Sequence, residues 1–310
     1  MHVPLPPALA ARHAAGGPAA TWLEGLPALL EDLLGRWHLS PDGPALAGHT
    51  AIVLPVQDAD GVRRALKAGL PEPDNAGEIR TLQLWGGRHA VRLVRADPGR
   101  HALLLEWLDG PLADQPDAGE ATRIVAGLYR HLHRPAAPQL PDLHRSVNRW
   151  LDDLAALGGA GSGRLPAPPR LVEQAIIAGR RLAAQPGGHV LHGDLHDLNV
   201  MRRAGSWVAI DPKGCNGDPC YEPAPLLWNR WAALAASANL GEALRERFYT
   251  IVDTAGLDVR RSRDWVVVRT MVNVAWQVAG PDRPGGPTET AREWITRNVT
   301  IAKAIQAVEP

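Results

Sequence analysis

The apolar pattern changes period once along the chain, at Leu108-Asp109-Gly110, and this change restricts the possible folds more than any other feature. Upstream, short apolar runs alternate with turn residues. HTAIVLPV and VRRALKAGL flank the segment Asp58–Gly61, and HAVRLVRA and RHALLLEWL flank Asp97-Pro98-Gly99. Successive side chains of a strand point to opposite faces, and Asp, Pro and Gly supply the tight turns, so each pair reads as a hairpin. The last run is apolar on both faces, which predicts a central strand. Before these strands, Trp22, Leu26, Leu29, Leu30, Leu33 and Trp37 form one apolar stripe along a helix at 20–37. Between the hairpins, Asn75 to Trp85 reads as a helix opened by a capping Asp or Asn, closed by Gly86-Gly87, and carrying Glu78 in its first turn.

Downstream of Gly110 the helical period takes over. Segments 117–133, 144–157 and 170–184 carry apolar residues three and four apart, with a Gly/Pro-rich linker at 158–169. One stretch departs from this texture: Asn199–Arg202 and Trp207–Ile210 read as short strands around Ala204-Gly205. At 310 residues the chain exceeds the size at which a single core stops growing. The expectation is an α+β fold of two lobes, a small β-rich one over 1–108 and a larger, mainly helical one over 109–310.

Charge is balanced at 33 basic and 33 acidic residues, which argues against a chain built to neutralise nucleic-acid phosphates or anionic lipid. Nucleic acid and membrane are therefore not expected as partners. The N-terminal MHVPLPPALAARHAAGG lacks a charged start followed by a sustained apolar run, and no later window reaches bilayer-spanning length. Cys215 and Cys220 are the only cysteines, too few for a disulfide framework or a four-thiolate zinc site. A mature cytoplasmic chain, monomeric or dimeric, is the expectation.

The chemistry-bearing residues cluster in the exceptional stretch. His192-Gly193-Asp194 followed by four residues and Asn199 has the H-x-D-x4-N spacing of a kinase catalytic loop, and Asp211 ends the strand that follows. Phosphoryl transfer needs little covalent help, only positioning and neutralisation of charge. Asp194 fits the carboxylate beside an acceptor hydroxyl. Asn199 and Asp211 offer the hard oxygens that suit Mg2+, which keeps waters and phosphates as its other ligands. Upstream, Lys67 stands where a phosphate-binding strand lysine would, with Glu78 as its helix partner. A competing reading takes His192, Asp194 and His196 as ligands of a transition metal in a hydrolase, but it leaves Asn199, Asp211 and Lys67 without roles.

HGDLHDLNV, with IDPKG downstream and then GDPCYEPAPLLWN, resembles the aminoglycoside phosphotransferase superfamily, and within it the streptomycin 6-kinase, or aminoglycoside/hydroxyurea phosphotransferase, branch. LLLEWLDG and the block from Trp85 to Leu93 are similar to that branch too, so the resemblance runs from about residue 45 to the C-terminus. It implies a protein-kinase-like bilobal fold and ATP (or GTP) with Mg2+. By the same resemblance, Asp194 is the catalytic base, Asn199 and Asp211 bind the metal, Lys67 contacts the nucleotide phosphates and Glu78 positions it. Glu106, Trp107 and Leu108 become the hinge whose backbone meets the adenine, and the turn near Gly48 and Thr50 covers the nucleotide, although no G-x-G-x-x-G is present there. The implied acceptor is a hydroxylated, cationic small molecule: an aminoglycoside such as streptomycin. A polycation calls for carboxylates, and Asp218, Glu222, Asp253, Glu289 and Glu293 are the candidates, with Lys213 of DPKG as a further phosphate or acceptor contact. The alternatives are a kinase of another hydroxylated metabolite and a nucleotide-binding relative without catalysis.

Overall fold

The computed structural model describes residues 3–7, 9, 18–48, 50–71, 77–158, 165–185, 187–278 and 288–309. It divides into two compact units, Met1–Gly110 with Arg202–Gly214, and Pro111–Met201 with Cys215–Pro310. The short segment Arg202–Gly214 thus packs with the first unit although it lies far along the chain. The expected linker lies partly outside the described residues, as do the Asp and Asn expected to cap the helix at 75–85.

The first unit is a sheet covered by a helix. Helix α1 spans Pro18–Trp37, and the strands are β1 Ser40–Pro41, β2 Leu46–Ala47, β3 Ala51–Gln57, β4 Arg63–Gly69, β5 Leu93–Asp97 and β6 Ala102–Glu106. Their order is β1-β3-β4-β6-β5, with β2 also on β3, and every pairing is antiparallel. The apolar run of β6 lies between β4 and β5, as a strand without a polar face requires. The β3–β4 turn closes on Asp58, whose Oδ1 accepts from the N–H groups of Asp60 and Val62 at 3.1 and 2.9 Å, and Gly61 supplies φ 74. Leu26, Leu30 and Leu33 of α1 pack on Ile52, Leu54, Leu66, Ala68 and Leu104. Each fully buried leucine contributes about 1.5–3 kcal/mol relative to exposure.

Strand alternation then decides where Lys67 goes. Leu66 pairs with Leu54 and Leu104, and these face α1; Lys67 pairs with Val53 and Leu103, one residue out of phase, and so faces away from α1. Helix α2, Glu78–Trp85, follows β4 and ends on Gly86 in the left-handed conformation, φ 57.

In the second unit the helices are α3 Ala118–Leu132, α4 Leu143–Gly158, α5 Pro169–Ala183, α6 Ala224–Trp228, α7 Trp231–Ala235, α8 Leu240–Ala255, α9 Val259–Val278 and α10 Glu289–Gln306. The capping side chains are Asp117 for α3, Asn239 for α8 and Thr288 for α10. Helix α9 is buried around much of its circumference, with Trp265, Val266, Val268, Met271 and Val274 inside, so it forms the axis on which α4, α5 and α10 pack. A small antiparallel sheet has the order β11-β8-β7, from β7 Arg134–Pro135, β8 His189–Leu191 and β11 Cys215–Gly217. Strand β8 runs directly into His192. The remaining strands, β9 Val200–Arg203 and β10 Ser206–Ala209, turn through Ala204 and Gly205 at φ 45 and 84, the two successive left-handed residues of a tight hairpin. No helix among the described residues is long and apolar enough to cross a membrane.

Candidate active site

Within the first unit, Lys67, Glu78 and Asp211 converge. The Lys67 Nζ lies 2.7 and 2.8 Å from the two Glu78 carboxylate oxygens and 2.7 Å from Asp211 Oδ1. Lys67 and Glu78 are buried, whereas the Asp211 side chain is 44% exposed. Burial works against the Lys67 ammonium, but the two carboxylates outweigh it and hold its pKa above the ordinary lysine value. Burial, with Asp211 adding repulsion, lifts the Glu78 carboxyl above its usual range even though Lys67 pulls the other way. One ammonium therefore serves two carboxylates, and the Asp211 carboxylate remains partly exposed.

The local backbone explains how Asp211 is delivered. It sits at φ 56, in the left-handed region that Asp tolerates better than most residues, and Gly214 follows at φ 65. Gly214 lies so close to Gly77 and Thr81 that a Cβ on it would collide with both, and a Cβ on Gly77 would meet the carbonyls of Lys213 and Gly214. Paired glycines thus let the Asp211–Gly214 segment rest against the first turn of α2, which carries Glu78. Lys213 is half-buried, and its charge acts on Glu78.

Of the other nucleotide-site candidates, Glu106 accepts from the Arg92 N–H at 2.7 Å and the Arg203 guanidinium at 3.0 Å. Trp107 carries the Arg63 guanidinium 4.0 Å over its ring, and Leu108 is buried. The Gly48 N–H donates to the Ala51 carbonyl at 2.8 Å and the Thr50 carbonyl accepts from Leu70, which forms a tight turn between β2 and β3. Adjacent His49 lies outside the described residues.

The second unit holds the Asp194 loop. Gly193 takes φ 84, and the Asp194 N–H donates to His192 Nδ1 at 3.2 Å. The Asn199 Nδ2 donates to the Asp194 carbonyl at 2.9 Å, which commits the amide nitrogen and leaves Oδ1 as the amide atom with lone pairs for a cation. His192 is fully buried, and His196 Nε2 stands 3.9 Å from Asp194 Oδ2. Among the described residues no group of three or more His, Cys, Asp or Glu is arranged to hold a metal by itself. That disfavours the transition-metal reading. Asn199 Oδ1 in the second unit and the Asp211 carboxylate in the first are each a hard oxygen of the kind Mg2+ takes beside water and phosphate. Burial pushes the Cys215 and Cys220 thiols up to about 12 and about 11, so both stay protonated at neutral pH and neither supplies a thiolate.

Two acceptor candidates have other work. Glu222 is fully buried and accepts from the backbone N–H of His192 at 2.7 Å and of Gly193 at 3.1 Å. Burial opposes its charge, but His133, His192 and Arg269 overcome that and hold it below the usual carboxylate range. Asp218 is buried as well and takes hydrogen bonds from the Cys220 N–H at 3.1 Å, the Trp265 indole and the Arg261 guanidinium. Both carboxylates thus tie backbone and helices together within the second unit. Asp253, Glu289 and Glu293 are exposed on α8 and α10.

Arg269 escaped the sequence reading. Arg269 donates to the carbonyls of Gly193 at 3.0 Å and Tyr221 at 3.2 Å and lies over the rings of Tyr221 and Trp228. A lone arginine inside the apolar run WVVVRTMVNVAW was the available signal, since a charge in such a helix needs a buried partner.

The chain matches the sequence model described as aminoglycoside/hydroxyurea antibiotic resistance kinase over residues 36–280. It is 34% identical to the streptomycin 6-kinase of Streptomyces glaucescens, covering 90% of this chain and 91% of that protein. It is 39% identical to the hydroxyurea phosphotransferase of Kitasatospora aureofaciens, covering 85% and 76% respectively. Among solved structures, a choline/ethanolamine kinase family protein from Mesorhizobium loti superposes with a TM-score of 0.57 at 16% identity, covering 90% of this chain and 95% of that one, which supports a kinase-like α+β fold. A match over most of the chain, together with relatives above 30% identity along nearly its full length, establishes that this chain belongs to the aminoglycoside/hydroxyurea antibiotic resistance kinase family and is a small-molecule phosphotransferase.

Proposed function

We propose that the chain transfers the γ-phosphoryl group of ATP to a hydroxyl of a small antibiotic-like acceptor, with an aminoglycoside such as streptomycin as the leading acceptor. The observation that carries this reading is the Lys67 ammonium held at 2.7 Å by both Glu78 and Asp211, because it pairs a phosphate-binding cation with a carboxylate still partly open to a metal. Asp194 orients the acceptor hydroxyl and takes its proton as the oxygen bonds to phosphorus. The bond from the γ-phosphorus to its bridging oxygen breaks, and ADP leaves. Lys67 steadies the phosphates, while Glu78 holds Lys67 in place. Asn199 and Asp211 would hold Mg2+, which when bound offsets phosphate charge. Glu106, Trp107 and Leu108 would meet the adenine, and the turn carrying Gly48 and Thr50 would cover the nucleotide. A cytoplasmic setting, where ATP and Mg2+ are supplied, goes with this reading.

A second reading of the acceptor, a compact uncharged hydroxyl compound of the hydroxyurea kind, draws on side chains of the second unit, of which Arg269 touches the Asp194 loop. Arg269 touches the loop and stacks on Trp228; Trp228 meets Trp294 at 5.8 Å; Arg297 covers Trp294 and Trp231. Cations and aromatic faces, with Asp218 and Glu222 already engaged, suit a polycation less well than a small neutral molecule.

Acceptor-dependent ADP release, assayed with streptomycin, other aminoglycosides and hydroxyurea, tests both readings, with the product mapped by phosphorus NMR. The wild type should phosphorylate one of these, and Asp194→Ala should lower the rate by at least ~100-fold while still binding ATP. Brisk turnover of hydroxyurea alone would select the second reading. ATP binding without turnover of any acceptor would point to a non-catalytic relative, and full activity in Asp194→Ala would reject the assigned base.

A further inference from the structure

Asp197 lies within the loop that joins Asp194 to Asn199, yet its side chain is buried, unlike that of its neighbour Leu198, which is 58% exposed. Its carboxylate accepts from the Asn229 amide and pairs with Arg230 Nε. Arg230 in turn spends the rest of its guanidinium on the carbonyls of Leu112 at 2.9 Å, Ala113 at 3.1 Å and Gln115. Its own backbone stands at φ 48, a conformation that a non-glycine residue keeps only where the surroundings impose it. A second arginine, Arg247, lies behind the pair and donates to the Asn229 carbonyl at 2.9 Å and the Leu226 carbonyl. Burial, and then the nearby Arg230, lower its pKa to about 10, with Asp197 acting in the opposite direction. The buried Asp197 carboxylate is therefore the countercharge of a partly buried two-arginine cluster in the second unit.

This clamp bears on the loop at one place. Asp197 opens the short 3-10 turn Asp197–Asn199, whose far end is fixed by the Asn199 N–H on the His196 carbonyl at 2.9 Å and by the Asn199 Nδ2 on the Asp194 carbonyl at 2.9 Å. Tilting the turn would rotate the Asn199 amide about those two bonds. Fork-like guanidinium bonding to a carboxylate and to main-chain carbonyls at once resists such a tilt better than a lysine would.

We infer that Asp197, held by Arg230, is a positioning residue for phosphoryl transfer: without touching nucleotide or acceptor, it aims the Asn199 amide oxygen at the metal. The inference rests on the reading of Asn199 as a metal ligand. Groups that orient a ligand from behind typically alter metal affinity by about 10–100-fold.

The test is a titration of Mn2+, standing in for Mg2+, into the complex of the full chain with AMPPNP, following the electron paramagnetic resonance of the free ion. Asp197→Asn and Arg230→Lys should each weaken Mn2+ binding by about ten-fold. AMPPNP affinity without metal and the far-ultraviolet circular dichroism should stay at their wild-type values. Asn199→Ala is the benchmark. If it leaves Mn2+ affinity unchanged, the ligand assignment falls and the inference with it. If it weakens Mn2+ while Asp197→Asn and Arg230→Lys lower only the melting temperature, Asn199 stands as a ligand and the positioning role of Asp197 is overturned. Should Asp197→Asn fail to fold, Arg230→Lys alone decides by the same readout.

Discussion

At the scale of single residues, the carboxylates differ in what each one does with its charge. Glu78 and Asp211 share one ammonium, whereas Glu222 spends its charge on the backbone N–H groups of His192 and Gly193, directly ahead of Asp194. The folded protein holds the Glu222 pKa below the ordinary glutamate value, so its contribution to stability is present above that ordinary value and is lost as pH falls through the lowered one. Glu222→Gln keeps an acceptor oxygen but loses the charge. Its deficit against wild type, measured by urea denaturation, should be about 2 kcal/mol at pH 7 and should shrink in acid. A deficit that stays constant from pH 7 to acid would show that the charge of Glu222 has no part in holding the loop. Because Glu222 shapes the loop backbone, the rate of ADP release should fall along with stability.

At the scale of elements, strand alternation separates stability from chemistry in the first unit. Leu30 of α1 is fully buried on the sheet face carrying Leu66, while Lys67 points to the other face. Leu30→Ala should therefore cost about 2–5 kcal/mol and lower the melting temperature, yet leave the KM for ATP within about two-fold of wild type at a temperature where both proteins are folded. A large rise in KM would mean that α1 sets the geometry of Lys67. The helices at 117–133, 144–157 and 170–184 were legible because their apolar spacing is regular, and they lie at Ala118–Leu132, Leu143–Gly158 and Pro169–Ala183. The role of α9 was harder to read. A helix buried around much of its circumference loses the one-sided stripe that marks helical period, and Arg269 within it interrupts the apolar run.

At the scale of the whole molecule, ligand binding should register as added stability if the kinase reading holds. Anything that binds the folded state alone stabilises it by mass action, about 2.7 kcal/mol at a ligand concentration one hundred times Kd. AMPPNP with Mg2+ should raise the melting temperature more than AMPPNP with EDTA, and Asp211→Asn should remove most of that Mg2+-dependent increment. An undiminished increment in Asp211→Asn would place the metal elsewhere. Relatives along nearly the full chain extend the kinase assignment to the whole protein, while the acceptor is the property on which they differ by name.

The sequence by itself determined the order of parts: strands before helices, Lys67 and Glu78 upstream, and the Asp194, Asn199 and Asp211 spacing downstream. These are local matters, since period, turn chemistry and motif spacing are read from neighbours along the chain. Only the tertiary structure decided which acids are engaged. Nothing local distinguishes a solvated acid from a buried one, and Asp218 and Glu222 prove to be buried and hydrogen-bonded. Their partners Arg261, Trp265, His133 and Arg269 come from distant segments. Asp197 is the same case, because its role follows from Arg230, more than thirty residues away. Burial and long-range pairing set the cost of a charge, and neither is encoded in the spacing of the residues that carry it.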